Sequence, residues 1–141
     1  MRTIGTIHTK QKNIPRHWTI SDVEGTLIID ENYLDGLKDI QAGERIIILF
    51  YFHKSPDFSA NFLCQTPPHG QKPKGVFSIC SPIRPNPIGM SIVQVIDVQD
   101  NALQIRGLDM VNGTPVLDIK PWLESAKDDP GKNDTAKTIT K

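Results

Sequence analysis

The sequence predicts a single all-β domain, a β-barrel with one short helix, on three observations. The chain has 141 residues, the size of one domain. Ten glycines and eleven prolines separate short runs rich in Ile and Val, the punctuation of strands rather than of long helices. No β-α-β alternation occurs, and about seven strands with a single brief helix favour a barrel or strongly curved sheet, in which closure removes exposed edges.

Taken in order, Glu24–Ile29, Arg45–His53 and Gly75–Cys80 each have strand length. Between Asp30 and Gly43, Leu34, Leu37 and Ile40 recur every three residues and predict the one helix. Ile88–Val98 alternates, with Ile88, Met90, Ile92, Ile96 and Val98 on one face and Ser91, Val93 and Asp97 on the other. Gln99-Asp100-Asn101 turns that strand into Leu103–Arg106, so Ile88–Leu108 reads as a β-hairpin. Asn112-Gly113 makes a further tight turn, and Asp118 and Lys120 alternate with Leu117 and Ile119 on a short strand ended by Pro121. Cys64–Gly75 (CQTPPHGQKPKG) lacks apolar spacing and reads as a long lid or binding loop. The barrel domain is expected over 1–124 and a polar tail over 125–141.

Composition excludes several classes. Lys+Arg 16 balances Asp+Glu 16, which argues against a large uniform basic field and leaves local basic patches open. The longest apolar run, Ile46–Phe52, is far below the ~18 residues of a membrane span, and no signal-peptide core follows Met1, so no membrane partner and a cytoplasmic protein are expected. Cys64 and Cys80 read as free thiols. No G-x-G, G-x-S-x-G or H-E-x-x-H occurs, and His8, His17, His53 and His69 are not paired at ligand spacing, so no metal site is expected. Gly70–Gly75 has P-loop glycine spacing but runs into Val76-Phe77 where Lys-Ser/Thr is required.

Three segments carry chemistry. In Ser81-Pro82-Ile83-Arg84-Pro85-Asn86-Pro87-Ile88-Gly89, each proline fixes its own φ and pushes the residue before it toward extended geometry, giving a stiff loop. Such a loop holds carbonyls and the Arg84 and Asn86 side chains outward at low entropic cost, as a small-molecule site needs, or it is a rigid connection between strands. Asp118 and Lys120 on one strand face suit ribose hydroxyls or a carboxylate, or simply form a solvated face. Lys10, Lys12, Arg16 and His17 beside Trp18 form a local basic patch fit for a phosphate backbone, or a solvated loop with one anchoring ring. Phe50, Tyr51 and Phe52 read as core, with His53-Lys54 at the strand exit facing a cleft.

Gly75-Val76-Phe77, Ser81–Ser91 (SPIRPNPIGMS), Arg106-Gly107-Leu108-Asp109 and Gly113–Pro121 (GTPVLDIKP), with Ile4–His8 and Ile14-Pro15-Arg16 near the start, resemble the TrmO (TsaA-like) family in its short archaeal-type form. The resemblance covers most of Ile4 to Leu123. It implies a single β-barrel, a homodimer, that binds S-adenosylmethionine outside the Rossmann class and methylates N6 of threonylcarbamoyladenosine in tRNA, just 3′ of the anticodon. It places cofactor contacts at Pro15, Arg16, His17, His53, Lys54, Cys80, Arg84, Asn86, Pro87, Ile88, Gly89, Met90, Gly113, Thr114, Asp118, Ile119, Lys120 and Pro121. Family members typically carry Thr-Arg-Ser-Pro where this chain has Ile79-Cys80-Ser81-Pro82, and a thiol cannot reproduce a guanidinium's bidentate grip. Candidates for a catalytic base are Asp118 and His53. The alternative is a non-catalytic barrel that binds S-adenosylmethionine or a nucleoside as sensor or adaptor.

Overall fold

In the computed structural model, which describes residues 1–123, six strands close into an antiparallel barrel. They are β1 (Gly5–His8), β2 (Glu24–Ile29), β3 (Arg45–Tyr51), β6 (Ile88–Gln99), β7 (Ala102–Arg106) and β8 (Pro115–Pro121), in the order β1-β2-β7-β6-β3-β8. A two-stranded satellite, β4 (Cys64–Gln65) and β5 (Lys74–Gly75), sits in the long connection between β3 and β6. The expected tail over 125–141 lies outside the described residues.

The inward row of each strand builds the core. Ile7, Leu27, Ile46, Ile48, Leu103, Ile105 and Val116 are buried, and the strands they belong to pair in register around the barrel. On β6 the inward positions are first Gly89, Ser91, Val93 and Val95, opposite to the face its apolar residues suggest. A bulge at Ile96 against β7 then switches parity, so Val98 stands opposite the buried Leu103. Met90 is left 53% exposed on the outer wall.

Three expected elements differ in form. The helix between Asp30 and Gly43 is a 3-10 helix, Glu31–Leu37, and the three-residue spacing of Leu34 and Leu37 is that helix's own repeat, with Ile40 in the turn beyond it. Gly75–Cys80 is not a strand: after β5 the chain turns through a 3-10 turn, Val76–Ser78, because Val76 must reach the interior while Lys74 and Gly75 pair with Gln65 and Cys64. That same ladder makes Cys64–Gly75 a short hairpin rather than an irregular loop. The hairpin β6–β7 forms as expected, with Asp100 at φ 51° in its turn.

Antiparallel alternation sends the connections β1–β2, β3–β6 and β7–β8 to one end of the barrel and β2–β3 and β6–β7 to the other. The two ends carry opposite charge. The first three connections hold Lys10, Lys12, Arg16, Lys54, Lys72, Lys74 and Arg84 against Asp22, Asp57 and Asp109. The others hold Asp30, Glu31, Asp35, Asp39, Glu44 and Asp100 against Lys38. A net charge of zero thus conceals a strongly polarised molecule. No described helix is long and apolar enough to cross a membrane.

Candidate functional site

The positive end is knitted together by contacts among its three connections. Thr9 donates its N–H to Asn112 Oδ1 at 3.0 Å, and Ser21 Oγ donates to the Leu108 carbonyl at 2.6 Å, tying the first connection to the third. Arg16 Nη2 meets His69 Nε2 across the first and second. A Cβ at Gly113 would lie 3.9 Å from His53 Nε2, which brings the second and third together. Pro15, Arg16, His17, His53, Lys54, Cys80, Arg84, Asn86, Pro87, Gly113 and Thr114 therefore share one end of one barrel, although nearly a hundred residues separate the first from the last.

Within that end the proline-rich loop is braced rather than free. Phe52 N–H donates to the Pro87 carbonyl at 2.8 Å, Gln65 Nε2 to Ile83 at 2.8 Å, and Ser55 Oγ to Pro82 at 3.1 Å. Arg84 Nη1 donates to the carbonyls of Ile79 and Ser81, at 3.0 and 3.1 Å, and so clamps both sides of the exposed Cys80. Gly89 is buried, and the space a side chain would need is filled by Phe50 and Phe52, whose rings meet edge to face at 5.0 Å. Thr114 is buried with its hydroxyl on the Val111 carbonyl at 2.6 Å, and Gly113, at φ +86°, donates its N–H to Ile7. Only glycine adopts that backbone without strain.

The first connection is held by a carboxylate. Asp109 accepts hydrogen bonds from Ser91 Oγ and from the backbone N–H of Trp18. Burial pushes the Asp109 carboxyl above the ordinary carboxylate range, and these hydrogen bonds and the nearby His17 offset part of that rise. His17 Nδ1 accepts the Thr19 N–H, and its ring lies 5.2 Å from that of Trp18. Asp109 was absent from the candidate residues of the sequence; an acid between the hydrophobic Leu108 and Met110, both buried, is the signal that marks it.

The remaining candidates stand elsewhere. Met90, Leu49 and Asp118 form one cross-strand row on the outer wall of β6, β3 and β8, and Ile92, Ile47 and Lys120 form the next. Ile88 stands beside Tyr51 on the same wall, above Met90. Lys120 Nζ lies 3.0 Å from Asp118 Oδ2, and Asp118 Oδ1 accepts the Ile119 N–H at 2.9 Å. Ile119 packs against the core. Asp118, Ile119, Lys120 and Pro121 also border a cavity of about 440 Å³ toward the negative end, shared with Tyr33, Leu37 and Ile40. A single chain does not bring these four among the loops.

The positive end offers the cations Arg16 and Lys54, the Asn86 amide and the left-handed glycine backbone at 113, groups of the kind that a zwitterionic nucleoside would need. Among the described residues no group of three or more His, Cys, Asp or Glu is placed to hold a metal ion.

The chain is similar to known proteins in sequence and in structure. The family model described as the tRNA-methyltransferase O N-terminal domain matches residues 3–128. An S-adenosyl-L-methionine-binding protein of Archaeoglobus fulgidus is 38% identical over 112 residues, covering 79% of this chain and 78% of that protein. The tRNA (adenine(37)-N6)-methyltransferase of Homo sapiens is 41% identical over 93 residues, 66% of this chain and 20% of the human protein. Among solved structures, TrmO from P. aeruginosa superposes with a TM-score of 0.67 at 29% identity, over 90% of this chain and 57% of that one.

Proposed function

The chain belongs to the tRNA-methyltransferase O N-terminal domain family, and from that premise we propose that it is an S-adenosylmethionine-dependent enzyme that methylates N6 of an adenosine in tRNA. The adenosine is the threonylcarbamoylated one beside the anticodon. The observation that carries this reading is the convergence of Arg16, His53, Arg84 and Gly113 at the one barrel end where basic side chains outnumber acids. The names of the A. fulgidus and human relatives, the one a binder of S-adenosyl-L-methionine and the other a tRNA methyltransferase, support it. A cytoplasmic location goes with such a substrate.

When bound, S-adenosylmethionine supplies an electrophilic methyl group on a sulfonium. The residues of this chain do the rest. Arg16 and Lys54 would hold the ligand's carboxylate and Asn86 its base edge, and the stiff loop from Pro82 to Pro87 would keep these groups in place, since positioning dominates such transfers. His53 receives the N6 proton. It stands beside Gly113 among the loops, whereas Asp118 is engaged by Lys120 on the outer wall.

We propose a homodimer through that outer wall, where Met90 is 53% and Tyr51 42% exposed beside Ile47 and Leu49. Such a dimer covers the apolar rows and brings Asp118 and Lys120 toward a second copy. Sedimentation tests it, a monomer at micromolar concentration being the contrary result.

Calorimetry with S-adenosylmethionine, followed by a methyl-transfer assay on threonylcarbamoylated tRNA, tests the activity. His53→Ala is expected to lower kcat by roughly 10²–10⁴. Cofactor binding without transfer by the parent protein would overturn the enzymatic reading in favour of a sensor or adaptor, a role that the binding-protein name of the A. fulgidus relative also suits.

A further inference from the structure

Phe77 is 80% exposed, far more than the other described aromatic residues. It is nevertheless carried on an ordered turn. Its neighbour Val76 is 1% exposed and donates its N–H to the Leu63 carbonyl at 2.8 Å, Gly75 pairs with Cys64, and Ile79 N–H closes the turn on Val76. A ring held outward on a pinned turn loses little entropy when something packs on it.

Its surroundings say what that is. No Asp or Glu occurs between Asp57 and Asp97, while Lys72, Lys74 and Arg84 do, so the satellite carrying Phe77 is the most one-sidedly basic part of an otherwise neutral chain. Lys72 and Lys74 are exposed and lead directly into the turn. Arg16, from the other basic connection, is joined to this satellite through His69. An exposed ring amid cations that track a backbone is the arrangement that single-stranded nucleic acid binds, the base stacking on the ring and the phosphates meeting the lysines.

We infer that Phe77 is a stacking platform for an unpaired nucleobase of the RNA substrate, with Lys72 and Lys74 holding the adjoining phosphates. The inference rests on the proposed tRNA substrate and adds a positioning residue to it. Stacking on Phe77 would hold the anticodon loop splayed at the positive end.

The experiment compares the parent protein with Phe77→Ala, Phe77→Tyr and Phe77→Trp. The probes are a synthetic RNA hairpin with an unpaired anticodon loop and a blunt duplex of the same stem. Phe77→Ala is expected to weaken hairpin binding roughly five- to 150-fold, to leave duplex binding, S-adenosylmethionine binding and thermal melting unchanged, and to keep the slope of affinity against salt. Phe77→Tyr stays near the parent. Phe77→Trp gains an emission that the hairpin quenches and the duplex does not. Hairpin binding by Phe77→Ala equal to the parent, equal losses on hairpin and duplex, or an unquenched tryptophan would each overturn the inference. So would a Phe77→Ala protein that dissociates to a smaller species while binding RNA normally, which makes the ring a protein contact. If the parent methylates tRNA and Phe77→Ala does so equally well, this inference falls alone; if the parent binds no RNA, the functional reading falls with it.

Discussion

Ser91, fully buried on β6, donates its hydroxyl to the Oδ1 of Asp109, and the same carboxylate accepts the backbone N–H of Trp18. A barrel strand, the β7–β8 connection and the β1–β2 connection thus meet on one acid. The position of the segment that carries Arg16 and His17 depends on it.

Removing the hydroxyl with Ser91→Ala leaves the half-buried carboxylate short of a donor, and a loss of roughly 1–3 kcal/mol is expected in denaturant melts at neutral pH. Because burial raises the Asp109 carboxyl, the folded state holds a proton that the unfolded chain releases near pH 4. The stability of the parent relative to Asp109→Asn should therefore be greatest at acid pH, fall as pH rises from about 4 through the raised value, and level off above it. A difference curve that rises with pH over that window would show that the acid is stabilised as its anion.

Gly89 is the next test, of packing rather than charge. A Cβ there would stand 2.3 Å from Phe50 Cζ and 2.8 Å from Phe52 Cζ. Phe50 is buried in the core and cannot swing away. Gly89→Ala is expected to destabilise the fold by about 1–3 kcal/mol, the usual cost of overpacking, read from the midpoint of chemical unfolding. A melt equal to the parent would mean that the ring pair yields.

These two residues also show what the sequence could and could not reveal. The strands Glu24–Ile29 and Arg45 onward were legible as strand-length apolar runs between turn residues, and the β6–β7 hairpin because its alternation and turn chemistry are local. The inward face of β6 was not: Ser91 sits inside because Asp109, distant in sequence, receives it, and a bulge at Ile96 shifts the later residues. Gly89 stood in a motif that resembles a cofactor loop, yet the structure gives it a packing role that only the positions of Phe50 and Phe52 disclose. The charge polarity was hidden in a zero total, since it depends on which loops share an end.

Cys80 offers a gain-of-function test. It is exposed, and Arg84 Nη1 already spans the carbonyls on either side of it. Space for a longer side chain is therefore available without disturbing the clamp. Cys80→Arg supplies the guanidinium that the family resemblance implies at this position, and calorimetry should show tighter S-adenosylmethionine binding with an unchanged melt. Unchanged or weaker affinity would remove this position from the cofactor site.

The proline loop separates stiffness from contact. Pro85 and Pro87 are held by neighbours through their own or adjacent carbonyls, which alanine keeps, so the Phe52 N–H to residue 87 bond survives replacement. Pro85→Ala with Pro87→Ala should leave the melt close to that of the parent while the unbound loop regains freedom worth ~0.4–1 kcal/mol per residue. Cofactor affinity then falls by about four- to thirty-fold. Arg84→Ala acts by another route: with Nη1 gone, the Ile79 and Ser81 carbonyls lose their shared donor and the segment around Cys80 loosens. Arg84→Lys keeps the charge but can reach only as a single point, not as a planar fork, and should recover less than half of the lost binding energy. Calorimetry of the three proteins beside ligand-free melts distinguishes the routes. If the double proline variant melts far below the parent yet binds normally when folded, the loop is a structural connection and the cofactor is held elsewhere.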